Sequence, residues 1–331
     1  MSREVVLAAR PQGVPQESDF ELRDADDAEL GDGEVLVRNV FVSVDPYMRG
    51  RMTGIRTYVG PYEVGGPIDG GAVGRVVASK YEGLSEGDWV ASMLGWRETG
   101  VAGGERLRKL DPSLAPPSTA LGVLGMTGFT AWIGLVQIAE VKEGETIYVS
   151  GAAGAVGSAA VQIAKLKGLR VIGSAGSDEK VEWLRSLGVE AFNYRETPAK
   201  DALADGIDVY FDNVGGEQLE AALTALRPFG RAAMCGAISR YNDQQAEPGP
   251  RNLGFVVSKR LRLQGFIVTD HTADFGAFMS EVAPWVSEAK IECRETMLDG
   301  IENVPAAFAG LFHGHNTGKM LVRVGPDDVD A

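Results

Sequence analysis

Hydrophobic positions change their spacing as the chain runs from its first third into its middle. The first hundred or so residues are short strand-like runs broken by glycine and proline. Glu34-Val-Leu-Val-Arg-Asn-Val-Phe-Val42 alternates apolar and polar residues before turning continuously apolar, and residues 74–79 and 87–91 are shorter fragments of the same kind. Such short runs with frequent turn residues predict a small, irregular β domain. From Thr146 the period changes. Thr146-Ile-Tyr-Val-Ser150 has the pattern of a buried strand, and residues 155–167 place Val156, Ala160, Ile163, Ala164 and Leu166 on or near one helical face. A strand at 170–173 follows, then a helix that Ser177 opens as N-cap and Gly188 stops. Strands at 208–212, 231–235 and 261–268 and helices at 217–226 and 273–289 continue the series. This alternation predicts βαβ units and a parallel sheet. Residues 318–324 read as one more strand, expected to return to the first domain.

Composition narrows the function classes. The 331 residues suit about two domains, and 44% apolar with 24% charged residues describe a globular chain. Acidic residues outnumber basic ones 46 to 32, a net charge of −14 that repels phosphate backbones and argues against nucleic-acid partners. Cys235 and Cys293 are too few for a disulfide framework, and the N-terminus has no signal-like apolar segment, so a cytoplasmic protein is expected. Residues 113–139 carry no charge and are long enough to cross a bilayer. Gly122, Gly125, Gly128 and Gly134 and the absence of basic flanks mark them instead as a buried segment joining the domains, with no membrane span expected.

The candidate chemistry begins at Gly151-Ala-Ala-Gly154-Ala-Val-Gly157, between the first strand and first helix of the alternation. Small residues here let the backbone turn sharply, let a pyrophosphate approach and let the helix sit close to the sheet with its N-terminus facing the phosphates. Gly151, Gly154, Ala155, Val156 and Gly157 are therefore candidate dinucleotide ligands. An NAD site ends its second strand on an acid for the ribose hydroxyls. This chain has Gly173-Ser-Ala-Gly176 there, with Gly173 expected to leave the space an acid would take. Lys180, one turn into the next helix, and Tyr194, closing the third strand, suit the extra phosphate of NADP(H). On its own Lys180 also reads as an ordinary solvated helix lysine. A zinc site is not expected: no cysteine precedes Cys235, no histidine precedes His271, and His313 with His315 lack further ligands.

Further motifs are Val44-Asp-Pro-Tyr-Met-Arg-Gly50, Gly125-Met-Thr-Gly-Phe-Thr-Ala131, Ser177-Asp-Glu-Lys180, Phe192-Asn-Tyr194, Tyr210-Phe-Asp-Asn-Val-Gly-Gly216, Cys235-Gly-Ala-Ile-Ser239, Gly265-Phe-Ile-Val268 and Asn316-Thr-Gly-Lys319. As an ordered set they resemble the zinc-independent medium-chain dehydrogenase/reductases, in the branch of leukotriene B4 12-hydroxydehydrogenase/prostaglandin reductase and the alkenal double-bond reductases. The resemblance implies an α/β chain with a GroES-like β-barrel domain at residues 1–120 and 300–331. It implies a Rossmann domain with a doubly wound parallel sheet at residues 121–299. It implies NADP(H) as cofactor, Lys180 and Tyr194 at its 2′-phosphate, and Asn213, Cys235, Gly236, Ala237, Ile238, Ser239, Tyr241, Phe266, Ile267, Val268 and Asn316 along the ribose and nicotinamide. It further implies a homodimer joined through edge strands, with 261–268 as the apolar strand at that edge.

Without zinc, hydride transfer needs an acceptor that requires no strong Lewis acid. A small molecule with an activated double bond, an α,β-unsaturated ketone or aldehyde, meets that condition, since the protein need only orient it and donate to the developing enolate oxygen. Tyr47 is the expected cleft-lining residue and Tyr58 the substitute donor; both also read as packing residues. The chain departs from the family where Ser258 stands for a tyrosine of the animal and plant enzymes, and where Gly70-Gly71 stands for a second tyrosine of the plant ones. Those departures keep two alternatives open, a quinone oxidoreductase on the same fold and a non-catalytic NADPH-binding protein. Arg49, Arg51 and Arg56 read as a solvated, salt-bridged surface or as a site for an anionic group.

Overall fold

The structure is a computed structural model describing residues 2–25, 29–245 and 248–326. Its strands are β1 (Ser2–Leu7), β2 (Phe20–Ala25), β3 (Glu34–Ser43), β4 (Ala72–Ser79), β5 (Trp89–Ser92), β6 (Thr99–Gly103) and β7 (Arg108–Lys109), then β8 (Thr146–Val149), β9 (Arg170–Ala175), β10 (Glu190–Asn193), β11 (Ile207–Asp212), β12 (Leu226–Met234) and β13 (Arg262–Gly265), and finally β14 (Glu295–Asp299) and β15 (Lys319–Arg323). Helices are α1 (Tyr47–Arg51), α2 (Met126–Ile133), α3 (Ala155–Leu166), α4 (Asp178–Ser186), α5 (Ala199–Ala202), α6 (Gly216–Ala225), α7 (Gly254–Ser258), α8 (Phe275–Ser287) and α9 (Val304–His313). Two compact units result, Met1–Leu121 with Arg294–Ala331, and Gly122–Cys293. The return to the first unit comes at Arg294, earlier than residue 300, because β14 pairs in parallel with β15 from Glu295–Lys319 to Asp299–Arg323.

The first unit is the GroES-like β domain. Its main sheet follows the order β14-β15-β3-β4-β5-β7, with β6 also on β3, and β1 pairs with β2. Both ends of the chain build its core. Val304, Ala307, Phe308 and Leu311 are buried on α9 at helical spacing. The Phe308 ring lies 5.5 Å from Trp96 and 6.2 Å from Phe20. One ion pair is fully inside this unit. Lys319 Nζ at the start of β15 lies 2.7 Å from Asp45 Oδ1 and 3.1 Å from the Val44 carbonyl oxygen, and Ser43 Oγ donates to the other carboxylate oxygen. Both side chains are at most 5% exposed. Arg49 is also buried, donating to the carbonyls of Pro11 and Gly13. It belongs to the frame of the domain and not to a solvated surface.

The second unit holds an all-parallel sheet ordered β10-β9-β8-β11-β12-β13, the doubly wound Rossmann arrangement. Every residue of β8 is buried, as a central parallel strand requires. The uncharged stretch forms short turns, α2 and a π-helical turn at Gly134–Ile138. No helix among the described residues is long and apolar enough to cross a membrane. The expected apolar edge strand at 261–268 is corrected. Only Arg262–Gly265 pairs with β12, and Arg262 and Gln264 are exposed. Leu261 instead turns into the core, and Val268 starts a 3₁₀ turn.

The buried pair generates a stability prediction. Lys319→Met strands the Asp45 carboxylate and should destabilise the first unit by about 3–5 kcal/mol. Adding Asp45→Asn should lose clearly less than the single variant, and denaturant unfolding of both variants checks the difference.

Candidate cofactor and active site

The turn after β8 is shaped by one close approach. Gly151 has φ +60°, the left-handed region that glycine adopts freely. Six residues on, a Cβ at Gly157 would collide with the Gly151 carbonyl oxygen and lie 2.8 Å from Ala152 Cα. Helix α3 can therefore seat against the turn only with glycine at 157. Gly154 is its N-cap and supplies no side-chain cap, so the N–H groups at Ala155, Val156 and Gly157 are presented to whatever the turn binds. Backbone donors at a helix start, with no side chain in front of them, fit a pyrophosphate.

Strand β9 closes without an acid, and Lys180 follows in the first turn of α4 beside Asp178 and Glu179. Lys180 sits in the first turn of α4, where Ser177 caps the helix and accepts from the Lys180 N–H at 3.5 Å. Partial burial and then the neighbouring Arg195 hold the Lys180 ammonium below the usual lysine range. Tyr194 follows β10 and is 40% exposed, and its N–H donates to the Ala175 carbonyl. Its hydroxyl would lie 2.7 Å from a Cβ at Gly176. Lys180, Tyr194 and Arg195 thus gather around one strand end, and Arg195 is a residue that sequence reasoning missed. The expectation for Gly173 is corrected. Strand β9 runs on to Ala175, Gly173 is buried inside it, and a Cβ there would meet Ala152 Cβ at 2.8 Å. No carboxylate fits at 173.

On the other side of β8, the ends of β11 and β12 form a hydrogen-bonded shelf. Asp212 is fully buried, and its Oδ1 accepts from Tyr210 (2.6 Å), Ser150 (3.2 Å), Val214 N–H (3.0 Å) and Gly215 N–H (2.8 Å). Its Oδ2 has no partner among the described residues. Asn213 is held by Ser150, its N–H on the Ser150 hydroxyl at 3.0 Å and its side-chain amide on the Ser150 carbonyl at 2.8 Å. The N–H groups of Cys235 and Gly236 both donate to the Asp212 carbonyl at 2.9 Å. Ile238 and Ser239 N–H groups reach the carbonyls of Asn213 and Val214, and the Tyr241 hydroxyl accepts from Ala237 N–H. Burial and the Asp212 charge push the Cys235 thiol up to about 12, so it stays protonated. Phe266 meets Phe211 edge-on at 6.5 Å, and Ile267 and Val268 follow it into the 3₁₀ turn. Ser150 and Asp212 were absent from the sequence-derived candidates.

Three candidates lie in the first unit. Asn316 donates to the Gly318 carbonyl ahead of β15. Tyr47 opens α1, half-buried, with Arg51 in hydrogen-bonding reach of its hydroxyl. Burial first, then Asp45, pushes the Tyr47 phenol well up, against Arg51. Tyr58 is 61% exposed in the following loop. Arg51 stacks 3.8 Å over the Tyr62 ring and donates to the Gly60 carbonyl, which removes it from the solvated cluster with Arg56. Ser258 ends α7 on the surface of the second unit.

Comparison with known proteins decides the family. Residues 3–110 match the model of the N-terminal domain of oxidoreductases, and residues 155–284 match that of zinc-binding dehydrogenases. The chain is 44% identical to the NADPH-dependent curcumin reductase of Escherichia coli over 99% of its own length and 98% of that protein. It is 44% identical to mouse prostaglandin reductase 1 over 94% and 96% of the two chains. The crystal structure of Vibrio vulnificus CurA with NADPH superposes with a TM-score of 0.92 at 40% identity, covering 98% and 99% of the chains. The chain belongs to the prostaglandin and alkenal reductase branch of the medium-chain dehydrogenase/reductases.

Among the described residues no group of three or more His, Cys, Asp or Glu could hold a metal ion. His313 ends α9 and His315 follows the left-handed Gly314, with the two rings 5.7 Å apart. For this reductase-family member, Gly173→Asp is expected to lower the melting temperature instead of turning the cofactor preference toward NADH. Thermal unfolding together with NADH and NADPH titration separates the two outcomes.

Proposed function

We propose that this protein is an NADPH-dependent reductase of the C=C bond of α,β-unsaturated ketones or aldehydes. The observation that carries the cofactor half is the end of β9, a strand that closes without an acid of its own and where Lys180, Tyr194 and Arg195 converge. The substrate half rests on the family, whose members in this branch include the curcumin reductase above. Bound NADPH supplies the hydride for the β-carbon of the activated alkene. Everything else falls to the chain. The N–H groups at the start of α3 take the pyrophosphate, and Lys180, Arg195 and the Tyr194 hydroxyl take the 2′-phosphate through charge-assisted hydrogen bonds. Asn213, Cys235–Ser239, Tyr241 and Phe266–Val268 flank the nicotinamide half, and Asn316 is a further candidate for it. Tyr47 donates to the substrate carbonyl oxygen as negative charge collects there. Its raised pKa keeps the phenol protonated across the physiological range, so it is a donor and not a base, and Arg51 behind it favours the partial negative charge the phenol acquires. Tyr58, in the exposed loop beside it, is the second donor.

Two further readings accompany the activity. We place the enzyme in the cytoplasm, a reading favoured by a cysteine count of two, too few for a disulfide framework. We also assign it a homodimer through β13. That strand is an unpaired sheet edge, and Leu253, Val257 and Phe229 beside it are exposed apolar residues, Val257 at 81%. A stable monomer at micromolar concentration in sedimentation would remove that reading.

Steady-state NADPH oxidation with a panel of enones and benzoquinones tests the activity. Turnover of enones is expected; turnover of quinones alone would make it a quinone oxidoreductase. Tyr47→Phe should lower kcat for enones by about tenfold to a hundredfold while leaving NADPH affinity unchanged. Lys180→Ala should weaken NADPH binding by about tenfold to a hundredfold and leave NADH binding nearly unaltered, since each charge-assisted bond to the phosphate is worth about 1.5–3 kcal/mol. Equal losses for the two cofactors would assign Lys180 to the fold.

A further inference from the structure

Asp212 is a buried charge that the proposed chemistry has not used. Its side chain is fully buried at the last position of β11. Burial, the largest effect, raises the Asp212 carboxyl above the usual carboxylate range, and four donors on Oδ1, two hydroxyls and two backbone N–H groups, oppose it by favouring the ionised form. No basic side chain of the described residues pairs with it, and Oδ2 accepts from nothing among them. A carboxylate buried without a cation is costly and calls for an explanation. Its field is felt nearby, where it contributes to raising both the Tyr210 phenol and the Cys235 thiol.

The sheet places this charge relative to a bound dinucleotide. Strand order reverses at β8, which lies between β9 and β11, and a dinucleotide crosses the carboxyl edge of a doubly wound sheet at that reversal. With the pyrophosphate at the turn after β8 and the phosphate-binding cluster at the end of β9, the nicotinamide half extends over the ends of β11 and β12. Those ends are Asp212 and Met234. When a hydride leaves the neutral dihydronicotinamide ring with both electrons of its C–H bond, the ring is left with one positive charge. An uncompensated carboxylate beneath it interacts with the oxidised ring and not with the reduced one.

We infer that Asp212 is a specificity-determining residue for the oxidation state of the cofactor, its negative charge favouring NADP+ over NADPH on the protein and so favouring hydride donation. This rests on the reading that NADP(H) lies along the carboxyl edge of this sheet. It differs from a structural role in what it changes: a residue that only holds Asn213 and the 213–216 turn would affect both cofactor forms alike.

The test is equilibrium binding of NADP+ and of NADPH, each titrated separately against the full-length wild type and Asp212→Asn. Asparagine keeps an acceptor oxygen for the four donors and removes the charge. The ratio of Kd for NADP+ to Kd for NADPH should rise on the order of tenfold in the variant, the size of a unit-charge interaction across about 10 Å at an effective dielectric near 20. An unchanged ratio, whether both affinities fall together or neither moves, would overturn the inference. If Asp212→Asn does not fold, Asp212→Ser removes the same charge and is judged by the same ratio. Wild-type protein that binds neither form would instead overturn the cofactor reading itself, before any variant is compared.

Discussion

Polar groups at the carboxyl edge of a buried parallel sheet must be satisfied without open water, and this constraint organises the second unit. Strands β8 and β11 are apolar along most of their length; Ser150 follows β8 and Asp212 ends β11, where the ladder stops and polar atoms need new partners. The solution is reciprocal. Ser150 holds Asn213, Asp212 gathers the N–H groups of Val214 and Gly215, and the Asp212 carbonyl takes those of Cys235 and Gly236. Three loops are thereby locked to one another before any ligand arrives. A second polar pair lies deeper, where Tyr148 donates to Gln218 and also reaches Ser174 at 2.8 Å while stacking on Tyr210 at 5.2 Å. Preorganisation of this kind is what a site needs when the chemistry itself belongs to a cofactor.

The first unit has a smaller polar balance of its own, around Tyr47. The Tyr47 phenol is set between Asp45, which discourages ionisation, and Arg51, which encourages it. A hydroxyl so balanced keeps its proton yet remains polarisable toward an oxygen that gains charge. Because Asp45 is itself neutralised by Lys319, the α1 turn carries Tyr47 on a rigid footing.

Local features were legible in the sequence and long-range ones were not. The run from Gly151 to Gly157 could be read because the turn and the helix start lie within seven residues, and Lys180 and Tyr194 because they flank strand ends. Arg195 escaped notice because its approach to Lys180 depends on how the chain turns after β10. Asp212 closes a run of Val, Tyr and Phe, which is a usable signal, but spacing alone does not say that the carboxylate is buried. Gly173 was misjudged by ending the strand early: Ser174 and Ala175 are buried and continue the ladder with β10. Residues 261–268 looked like one apolar strand because hydropathy cannot show that the chain leaves the sheet at Phe266. Helix α9 carries a clear period in Val304, Ala307, Phe308 and Leu311, a signal of a one-sided buried helix that the sequence does offer.

Chain order makes the two units unequal partners during synthesis. The second unit is complete once Cys293 has been made, and every strand of its sheet is then available. The first unit is begun earlier and finished later. Until the ribosome reaches Lys319, Asp45 has no counter-charge, β3 lacks its neighbour β15, and Trp96 and Phe20 wait for Phe308. The domain that starts first is therefore the one whose core closes last, and the growing chain carries its unfinished apolar surface until Lys319 has been made.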